Sequence, residues 1–470
     1  MLAVGSTMLL GMVDGSIVNV ALPTLSRSLG ASFQVVEWTV LSFLLGLSSL
    51  TLSMGRLGDI IGKKRVFITG LVVFLVSSGL CGAAPGIYSL IVFRFVQSIG
   101  AAMMTSLGVA IVTETWPADK RATAMGIAGG ILSVGGIAGP ALGGWILHFL
   151  SWRWIFFVNL PIGVVCLTLA SVFVPPLLPE HRGQRFDFAG ALLAGMSMFT
   201  FVLALTFAQT FGLLSARVVS LAGVSFAALL AFLYVEQRVS DPMLDLSLFR
   251  NPGFRVSLVT GFITFVSLAG VVLLFPFYLQ LVGRLEQQQV GMVMAVTPAM
   301  MALWGPISGM CADRFGARSV IVMGLASMAV GYIMMSRLTV SSTPAAFVLL
   351  QAPLGLGMAT FSSANNAAIM TSVPRQRLGI ANGMLAMSRT AGNLTGVALL
   401  GAFFHLRLQV YVGHSVEVTD APPVSIVQAL HDQFRLAAAL ITVGTVVALR
   451  WRLLNQARVR DGAEFEVEVC

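Results

Sequence analysis

Residues 55–65 read GRLGDIIGKKR, and five of these eleven side chains are charged, although only 10% of the 470 residues are charged. Residues 309–318 read GMCADRFGAR and repeat the same glycine and aspartate spacing 254 positions later. A second set, Pro117, Gly126, Gly135 and Gly139, recurs 257 positions later as Pro374, Gly383, Gly392 and Gly396. We interpret the chain as two matching halves in the same order and orientation.

The apolar composition identifies the solvent around these halves. Hydrophobic residues make up 57% of the chain and its mean hydropathy is +0.91, far above the level of a soluble core. A membrane-spanning helix needs roughly 20 apolar residues, and such stretches are centred near residues 13, 48, 75, 100, 135, 165, 197, 226, 265, 300, 327, 355, 396 and 442. Because these fourteen stretches are too long for barrel strands of about 10 residues, we predict an all-α membrane protein.

The distribution of positive charge predicts the topology. Of the 28 lysines and arginines, 19 fall in alternate connecting or terminal segments, namely residues 55–65, 114–123, 176–186, 236–255, 310–318, 372–378 and those after 449. By the positive-inside rule these segments and both termini are cytoplasmic, in an inner or plasma membrane. The net charge of +9 is therefore a topology signal rather than an indication of a nucleic-acid partner. The first apolar run lacks a basic leader and is expected to be a span, not a signal peptide.

The duplication and the span count predict the domain organisation. Residues 1–175 form an N-terminal six-helix bundle and residues 255–450 form a C-terminal one. Residues 176–254 form a linker with two extra transmembrane helices, and residues 451–470 form a cytoplasmic tail. Duplicated six-helix bundles of this kind occur in secondary transporters, where the substrate site lies near mid-bilayer between the halves.

Five motifs carry a family resemblance. They are GRLGDIIGKKR, MVDGSIVNVALP in the first span, FRFVQSIGAA in the fourth, SVGGIAGPALGG with the following SWRWIFFVNLPIG, and DPMLDLSLFRNPGF before the ninth span. Their order resembles the major facilitator superfamily, and in particular its 14-helix drug:proton antiporters, the EmrB/QacA-like group. The resemblance implies proton-driven exchange of small lipophilic substrates across the bilayer, with no cofactor beyond the proton gradient. A periplasmic adaptor cannot be deduced from the sequence. This chain departs from the family pattern at Phe43, commonly tyrosine, and at Ser98, commonly glycine.

Asp14 is the candidate proton carrier. It lies about ten residues into the first span, roughly 15 Å deep at 1.5 Å per residue. A lone carboxylate there costs on the order of 2.5 to 3.5 kcal/mol, so it must be protonated, paired or facing water. Removal from water favours a neutral carboxyl group and a neighbouring arginine favours the charged one, so such a site can bind and release a proton. The alternative is a carboxylate that is permanently paired for helix packing.

Arg94 and Gln97 of the fourth span are the other candidate coupling residues. The resemblance assigns them a role in proton coupling, whereas Arg94 could instead extend towards the nearby membrane surface. The counterpart of Arg94 in the second half is Gln351, and that of Asp14 is Ser267 or Val271. We therefore expect energy coupling in the first half and mainly substrate contact in the second.

The fifth span carries the run SVGGIAGPALGG. Small residues four positions apart allow helices to approach closely, and proline removes a backbone hydrogen bond and bends a helix. The run resembles the antiporter signature of the family, which is associated with export. The residues concerned are Gly135, Gly139, Pro140, Gly143 and Gly144.

The opening stretch and its repeat are predicted to form a conformational latch. Gly55 and Gly62 are expected to allow a tight turn, and Asp59 is expected beside cytoplasmic helix ends that can hold a carboxylate. By resemblance, this turn closes the cytoplasmic side in the outward-facing state. The predicted latch residues are Gly55, Asp59, Gly62, Lys63 and Lys64, with Asp313 and Arg314 as a weaker second set. Glu114, Lys120 and Arg121 are candidate partners.

Polar residues within spans are candidates for the substrate cavity, because such residues tend to face the interior of a bundle. The predicted set is Asn19, Asn159, Gln280, Arg389 and Asn393. Arg389 either lines the pore near Asn393 or lies close enough to the cytoplasmic end to pair with phosphate or with a loop carboxylate.

No motif of an enzyme or of a metal site is evident. The histidines and cysteines lack metal-ligand spacing, and there is neither a glycine loop for ATP nor a nucleophile triad. The sequence therefore predicts a proton-driven exporter of lipophilic cationic or neutral molecules, and no enzyme. A transporter for a specific metabolite and a non-transporting membrane sensor are the alternatives.

Overall fold

A computed structural model describes residues 2–116, 121–176, 187–212, 214–238, 246–373, 378–414 and 416–460. Within these residues every regular element is helical, which confirms the predicted all-α class. The helices are α1 Leu2–Leu29, α2 Phe33–Ile61, α3 Lys63–Gly82, α4 Ile87–Thr115, α5 Arg121–Phe149, α6 Trp154–Phe157, α7 Asn159–Phe173, α8 Phe188–Phe211, α9 Ala216–Glu236, α10 Pro252–Phe277, α11 Gln287–Phe315, α12 Ala317–Met335, α13 Pro344–Thr371, α14 Leu378–Val412 and α15 Pro423–Arg460. A 3₁₀ turn covers Leu246–Arg250, and a π-helical turn, Tyr278–Val282, extends α10.

The spans agree with the hydropathy prediction. Thirteen helical segments in the described chain are long and apolar enough to cross a bilayer, and α6 and α7 together form one of them. A shorter apolar stretch, Val134–Phe149, belongs to α5 and supplies the fourteenth. Asp187 caps the start of α8, because its Oδ1 accepts a hydrogen bond from the Gly190 N–H at 2.8 Å.

The quoted stretch is mostly helix, and its turn lies at Gly62. Gly62 separates α2 from α3 with φ of 104°, and its repeat partner Gly316 separates α11 from α12 with φ of 83°. Residues other than glycine rarely adopt this left-handed region. Gly55 was predicted to help form the turn, and this is wrong, because α2 continues to Ile61.

The two halves repeat the same helix pairing. Gly139 of α5 packs against α1, where an added Cβ would lie 3.0 Å from the Val13 carbonyl oxygen. Its repeat partner, Gly396 of α14, packs in the same way against α10, where an added Cβ would overlap the backbone of Val266. The extra helices α8 and α9 pair through mutual hydrogen bonds of Ser197 and Ser225, and α8 contacts both α2 and α14. The insert therefore lies beside both bundles.

The two bundles meet on the predicted outer side. The ring of Phe33, at the start of α2, lies 5.2 Å from that of Phe277 and 6.2 Å from that of Phe404. The Phe33 N–H also donates a hydrogen bond of 3.1 Å to the Glu417 carboxylate, in the connection between α14 and α15. These contacts join the two bundles on the predicted outer side.

Candidate functional site

Asp14 lies at the centre of a buried polar cluster built by three helices of the first bundle. Its side chain is 0% exposed. Its Oδ2 accepts a hydrogen bond of 2.7 Å from Arg94 Nη1, and its Oδ1 accepts bonds of 3.0 Å from Gln97 Nε2 and 2.7 Å from Asn159 Nδ2. An ionised carboxylate is an acceptor-only group, and this arrangement supplies it with three donors and an opposite charge.

Arg94 points into the bundle and not towards the membrane surface. Its side chain is 1% exposed, its Nη1 also donates to Gln97 Oε1 at 2.7 Å, and its Nε donates to the Thr39 carbonyl oxygen at 3.2 Å. The guanidinium carbon lies 4.2 Å from the centre of the Phe43 ring. Phe43 therefore supports the arginine through a cation–π contact that needs no hydroxyl group.

Asn159 was predicted to line the substrate cavity, and its position differs from that prediction. It is 0% exposed, and its Nδ2 bridges Asp14 and the Ser78 hydroxyl oxygen, the latter at 3.0 Å. The reason is its place at the start of α7, from which the side chain reaches α1 and α3 inside the bundle. It belongs to the cluster around Asp14.

The glycine run of α5 lies against α1 beside this cluster. Gly135, Gly139 and Gly143 form one stripe, and a Cβ added to any of them would lie 3.0 Å or less from atoms of α1. Gly144 points the other way, towards α11, where a Cβ would lie 3.0 Å from the Gly291 Cα and would overlap Gln287 O. α5, which continues as a helix through Pro140, thus packs between the helix that carries Asp14 and the second bundle.

The second bundle has a neutral cluster at the equivalent place. Gln351, the counterpart of Arg94, is 0% exposed, and its Oε1 accepts a hydrogen bond of 3.1 Å from Thr297. Ser267, one of the two counterparts of Asp14, is also buried. Among these repeat-related positions, charged residues therefore occur in the first bundle alone.

The remaining predicted cavity residues do not form one group. Asn19 and Asn393 are partly exposed and make no side-chain hydrogen bond within the described residues. Gln280 is 8% exposed, and its Nε2 approaches the Val20 carbonyl oxygen at 3.5 Å. Gln280 is therefore placed at the contact between the bundles on the outer side.

Arg389 takes a position near the first of its two alternatives. Its Nη2 donates a hydrogen bond to Asn366 Oδ1 of α13, and its guanidinium carbon lies 5.5 Å from the centre of the Phe265 ring of α10. No carboxylate within the described residues forms an ion pair with it. The side chain thus reaches from α14 to both α10 and α13.

The first predicted latch is held together inside the first bundle. Lys63 is 4% exposed and pairs with Asp59 at 3.3 Å and also with Glu114 of α4. Lys64 Nζ donates a hydrogen bond of 2.9 Å to the Ser171 carbonyl oxygen of α7. These contacts fix the start of α3 and do not cross to the second bundle.

The residues of the second predicted latch are more exposed to solvent. Asp313 and Arg314 are exposed, and Asp313 forms no ion pair within the part of the chain that the structure describes. Arg314 lies against the Phe315 ring at 5.5 Å. Of the other predicted partners, Lys120 and the side chain of Arg121 lie outside the described residues.

Sequence reasoning missed the buried carboxylate of Glu37. It lies in the second turn of α2 and is 1% exposed. A Cβ added to Gly401 of α14 would overlap its Oε1, so the carboxylate packs against the backbone of the second bundle. The signal was a single acid within the run VVEWTV, but the predicted span centre near residue 48 left it at the end of the helix.

Comparison with known proteins identifies the family of this chain. The sequence profile of the Major Facilitator Superfamily matches residues 4–283 and 257–459. The riboflavin transporter RibZ of Clostridioides difficile is 29% identical over 93% of each chain. The multidrug resistance protein Stp of Mycobacterium tuberculosis is 32% identical over 90% of this chain and 79% of its own. The tetracenomycin C resistance and export protein of Streptomyces glaucescens is 28% identical over 87% of this chain and 76% of its own.

Solved structures agree on the fold. The crystal structure of the peptide transporter POT in complex with sulfate has a TM-score of 0.70 at 13% identity, over 96% of this chain and 94% of the other. An inward-facing and unoccupied bacterial homologue of the human lysosomal transporter Spinster has a TM-score of 0.65 at 15% identity, over 95% of each chain. At these identities the likeness concerns the fold alone.

Proposed function

Since this chain belongs to the Major Facilitator Superfamily, a family of transporters, we propose that it exports lipophilic cationic or neutral small molecules in exchange for protons by alternating access. The observation that carries the proposal is the buried Asp14 carboxylate, held by Arg94, Gln97 and Asn159 beside the glycine stripe of α5. The multidrug and export proteins among the relatives support it. The proposed cellular location is the cytoplasmic membrane, with both termini in the cytoplasm.

Proton binding at Asp14 would change the balance of the cluster. The added proton removes the negative charge, while the Arg94 charge stays at a place that is 1% exposed. Removal of one charge of a buried ion pair costs about 3–5 kcal/mol, because the other charge is left without compensation. α1 and α4 must then rearrange, and α5 transmits the change since it packs against both α1 and α11. Protonation would in this way favour a different arrangement of the bundles.

We assign this conformation to the stage of the proposed cycle in which the outer side is closed. With Phe33 packed against Phe277 and Phe404, a substrate reaches the space between the bundles from the cytoplasmic side. Its release to the outside requires these contacts to open and the cytoplasmic side to close. The predicted latch residues Lys63 and Asp313 would act in that second conformation.

A second candidate function is transport of a specific metabolite. The observation in its favour is the riboflavin transporter, which matches along 93% of both chains. The same cluster could then couple protons to uptake or to export. The direction of proton-coupled flux separates the two.

Proteoliposomes that contain the purified protein test the proposal. They are loaded with acidic buffer, diluted into neutral buffer with ethidium or riboflavin outside, and followed by fluorescence of the probe and of an internal pH dye. Ethidium is suitable because its charge is permanent and it does not respond to a pH gradient by itself. We expect accumulation of probe together with loss of luminal protons. Movement of the probe in the same direction as the protons would support proton-coupled uptake. If neither probe causes proton movement, transport is refuted and a non-transporting membrane sensor remains as the alternative.

A further inference from the structure

Arg389 is a cationic side chain on the inner face of the second bundle that no coupling step uses. It lies eleven residues after the first residue of α14, which is roughly 16 Å along the helix axis. Its guanidinium reaches across Phe265 of α10 to Asn366 of α13, although α13 and α14 otherwise make few contacts. The side chain therefore links α14 to both α10 and α13.

The hydrogen-bonding capacity of Arg389 is largely unused. A guanidinium has five N–H donors, and the described residues accept one hydrogen bond from it, at Asn366. Its Nε is shielded from solvent and has no acceptor within the described residues. The residue as a whole remains partly exposed. Buried donors of this kind almost always have partners, and an acceptor group on a bound substrate would supply one.

The surroundings supply further polar groups and an aromatic surface. Asn393 follows Arg389 by one helical turn, on the same face of α14, and is partly exposed without a side-chain hydrogen bond in the described chain. Asn366 and Phe265 are partly exposed as well. A planar ligand with an acceptor group could stack against Phe265 while its acceptor faces the guanidinium.

The charge available to a ligand in this conformation is positive. Asp14 is 0% exposed and Arg94 is 1% exposed, and each neutralises the other. Of the two arginines inside the apolar spans, only Arg389 therefore remains partly exposed.

From these observations we infer that Arg389, with Asn366 and Asn393, forms a subsite for an anionic group, a carboxylate or sulfonate, on an aromatic substrate. The inference rests on the proposed export function and adds to its substrate class aromatic molecules that carry an acidic group. Guanidinium groups bind such planar or multi-oxygen anions through paired hydrogen bonds, and a lysine at the same place offers only a point charge. Arg389 is thus the residue that determines specificity, and the substrate binds with its acidic end towards α13 and α14.

Binding and transport of matched probes test the inference. The probes are anilinonaphthalene sulfonate, a permanent anion at neutral pH, riboflavin, which is neutral, and ethidium, a permanent cation. Dissociation constants are measured in detergent by probe fluorescence, and transport is measured in proteoliposomes with the membrane potential clamped. The variants are Arg389→Gln, Arg389→Lys and, as a control of another arginine in the second bundle, Arg435→Gln, which is 67% exposed on α15.

We expect Arg389→Gln to weaken binding of the sulfonate at least tenfold, which corresponds to about 1.4 kcal/mol, and to change binding of ethidium less than twofold. Arg389→Lys should fall between the wild type and Arg389→Gln, and Arg435→Gln should match the wild type. Equal weakening of all three probes by Arg389→Gln would assign the residue to structure and overturn the inference, as would wild-type protein that binds ethidium and not the sulfonate. Because binding is measured without a gradient, failure of proton-coupled transport with intact sulfonate binding would refute the proposed function and leave the subsite standing.

Discussion

The contact between Gly144 of α5 and Gly291 of α11 joins the two bundles on the predicted outer side. A Cβ on Gly144 would lie 3.0 Å from the Gly291 Cα and 3.1 Å from its nitrogen, and would overlap the Gln287 carbonyl oxygen. Carbon atoms in contact prefer separations of about 3.5–4.0 Å, so the helices must move apart by roughly 0.5–1 Å. All three neighbours are backbone atoms, which no rotamer change can remove.

Gly144→Ala is therefore expected to destabilise the outer-closed conformation specifically. Overpacking of this kind costs about 1–3 kcal/mol, and 1.4 kcal/mol is a factor of ten in an equilibrium constant. Since the outer-open conformation separates the two helices, it does not bear this cost. The ratio of closed to open molecules should fall about fivefold to a hundredfold.

Double electron–electron resonance measures this ratio, because it reports the distribution of distances between two spin labels across the outer side. Nitroxide labels are placed on cysteines introduced at Ser28 in the first bundle and Asp420 in the second, both exposed, after the native cysteines are replaced by alanine. The control is Gly11→Ala in α1, where an added Cβ meets nothing within 4 Å. We expect a longer distance to gain population in Gly144→Ala and not in Gly11→Ala. Identical distance distributions in the two variants would refute the close packing of α5 on α11 as the outer contact.

Three further changes have expected results. Gly62→Ala should lower the melting temperature of the purified protein, because an L-residue at φ of 104° is strained. The control Gly86→Ala should leave the melting temperature unchanged, because Gly86 has φ of −164° and open space around it. Equal melting temperatures of the two variants would contradict the predicted turn. Phe33→Ala should raise the labelling rate of an outer-side cysteine, since it removes the ring contacts that close that side, and an unchanged rate would show that other contacts suffice. Asn159→Ala should reduce the number of protons moved per substrate, because Asp14 loses one of three donors, and an unchanged ratio would exclude Asn159 from coupling.

Local features of the fold could be predicted because they repeat within the sequence. The glycines at 62 and 316 occupy equivalent turns with positive φ, and the glycines at 139 and 396 occupy equivalent close contacts, as the offsets indicated. Apolar stretches of about 20 residues likewise mark helices in lipid regardless of their neighbours. The depth of Asp14 in its span and the resemblance at Arg94 and Gln97 predict a shared role in proton coupling, and the three side chains are in contact in the structure.

Contacts between distant helices could not be predicted in the same way. Asn19 and Asn159 are both asparagines within spans, yet Asn159 lies against Asp14 and Asn19 does not, because the difference depends on where α7 meets α1. Glu37 was missed for a similar reason, since its burial depends on Gly401 of the opposite bundle. Gly55 was misplaced because glycine is common both in turns and at helix–helix contacts. A single sequence indicates the periodicity of each helix and not its rotation against a partner.

The central claim is that Asp14 couples protons to transport, and comparison of two kinds of flux tests it most directly. Asp14→Asn is compared with Asp187→Asn, whose asparagine can cap α8 as aspartate does. Exchange of labelled for unlabelled substrate across proteoliposomes without a gradient reports movement of the bundles alone, whereas accumulation under a pH gradient reports coupling. We predict that Asp14→Asn retains exchange and loses accumulation, and that Asp187→Asn retains both. Full gradient-driven accumulation by Asp14→Asn would contradict the account and leave Asp14 as a packing residue.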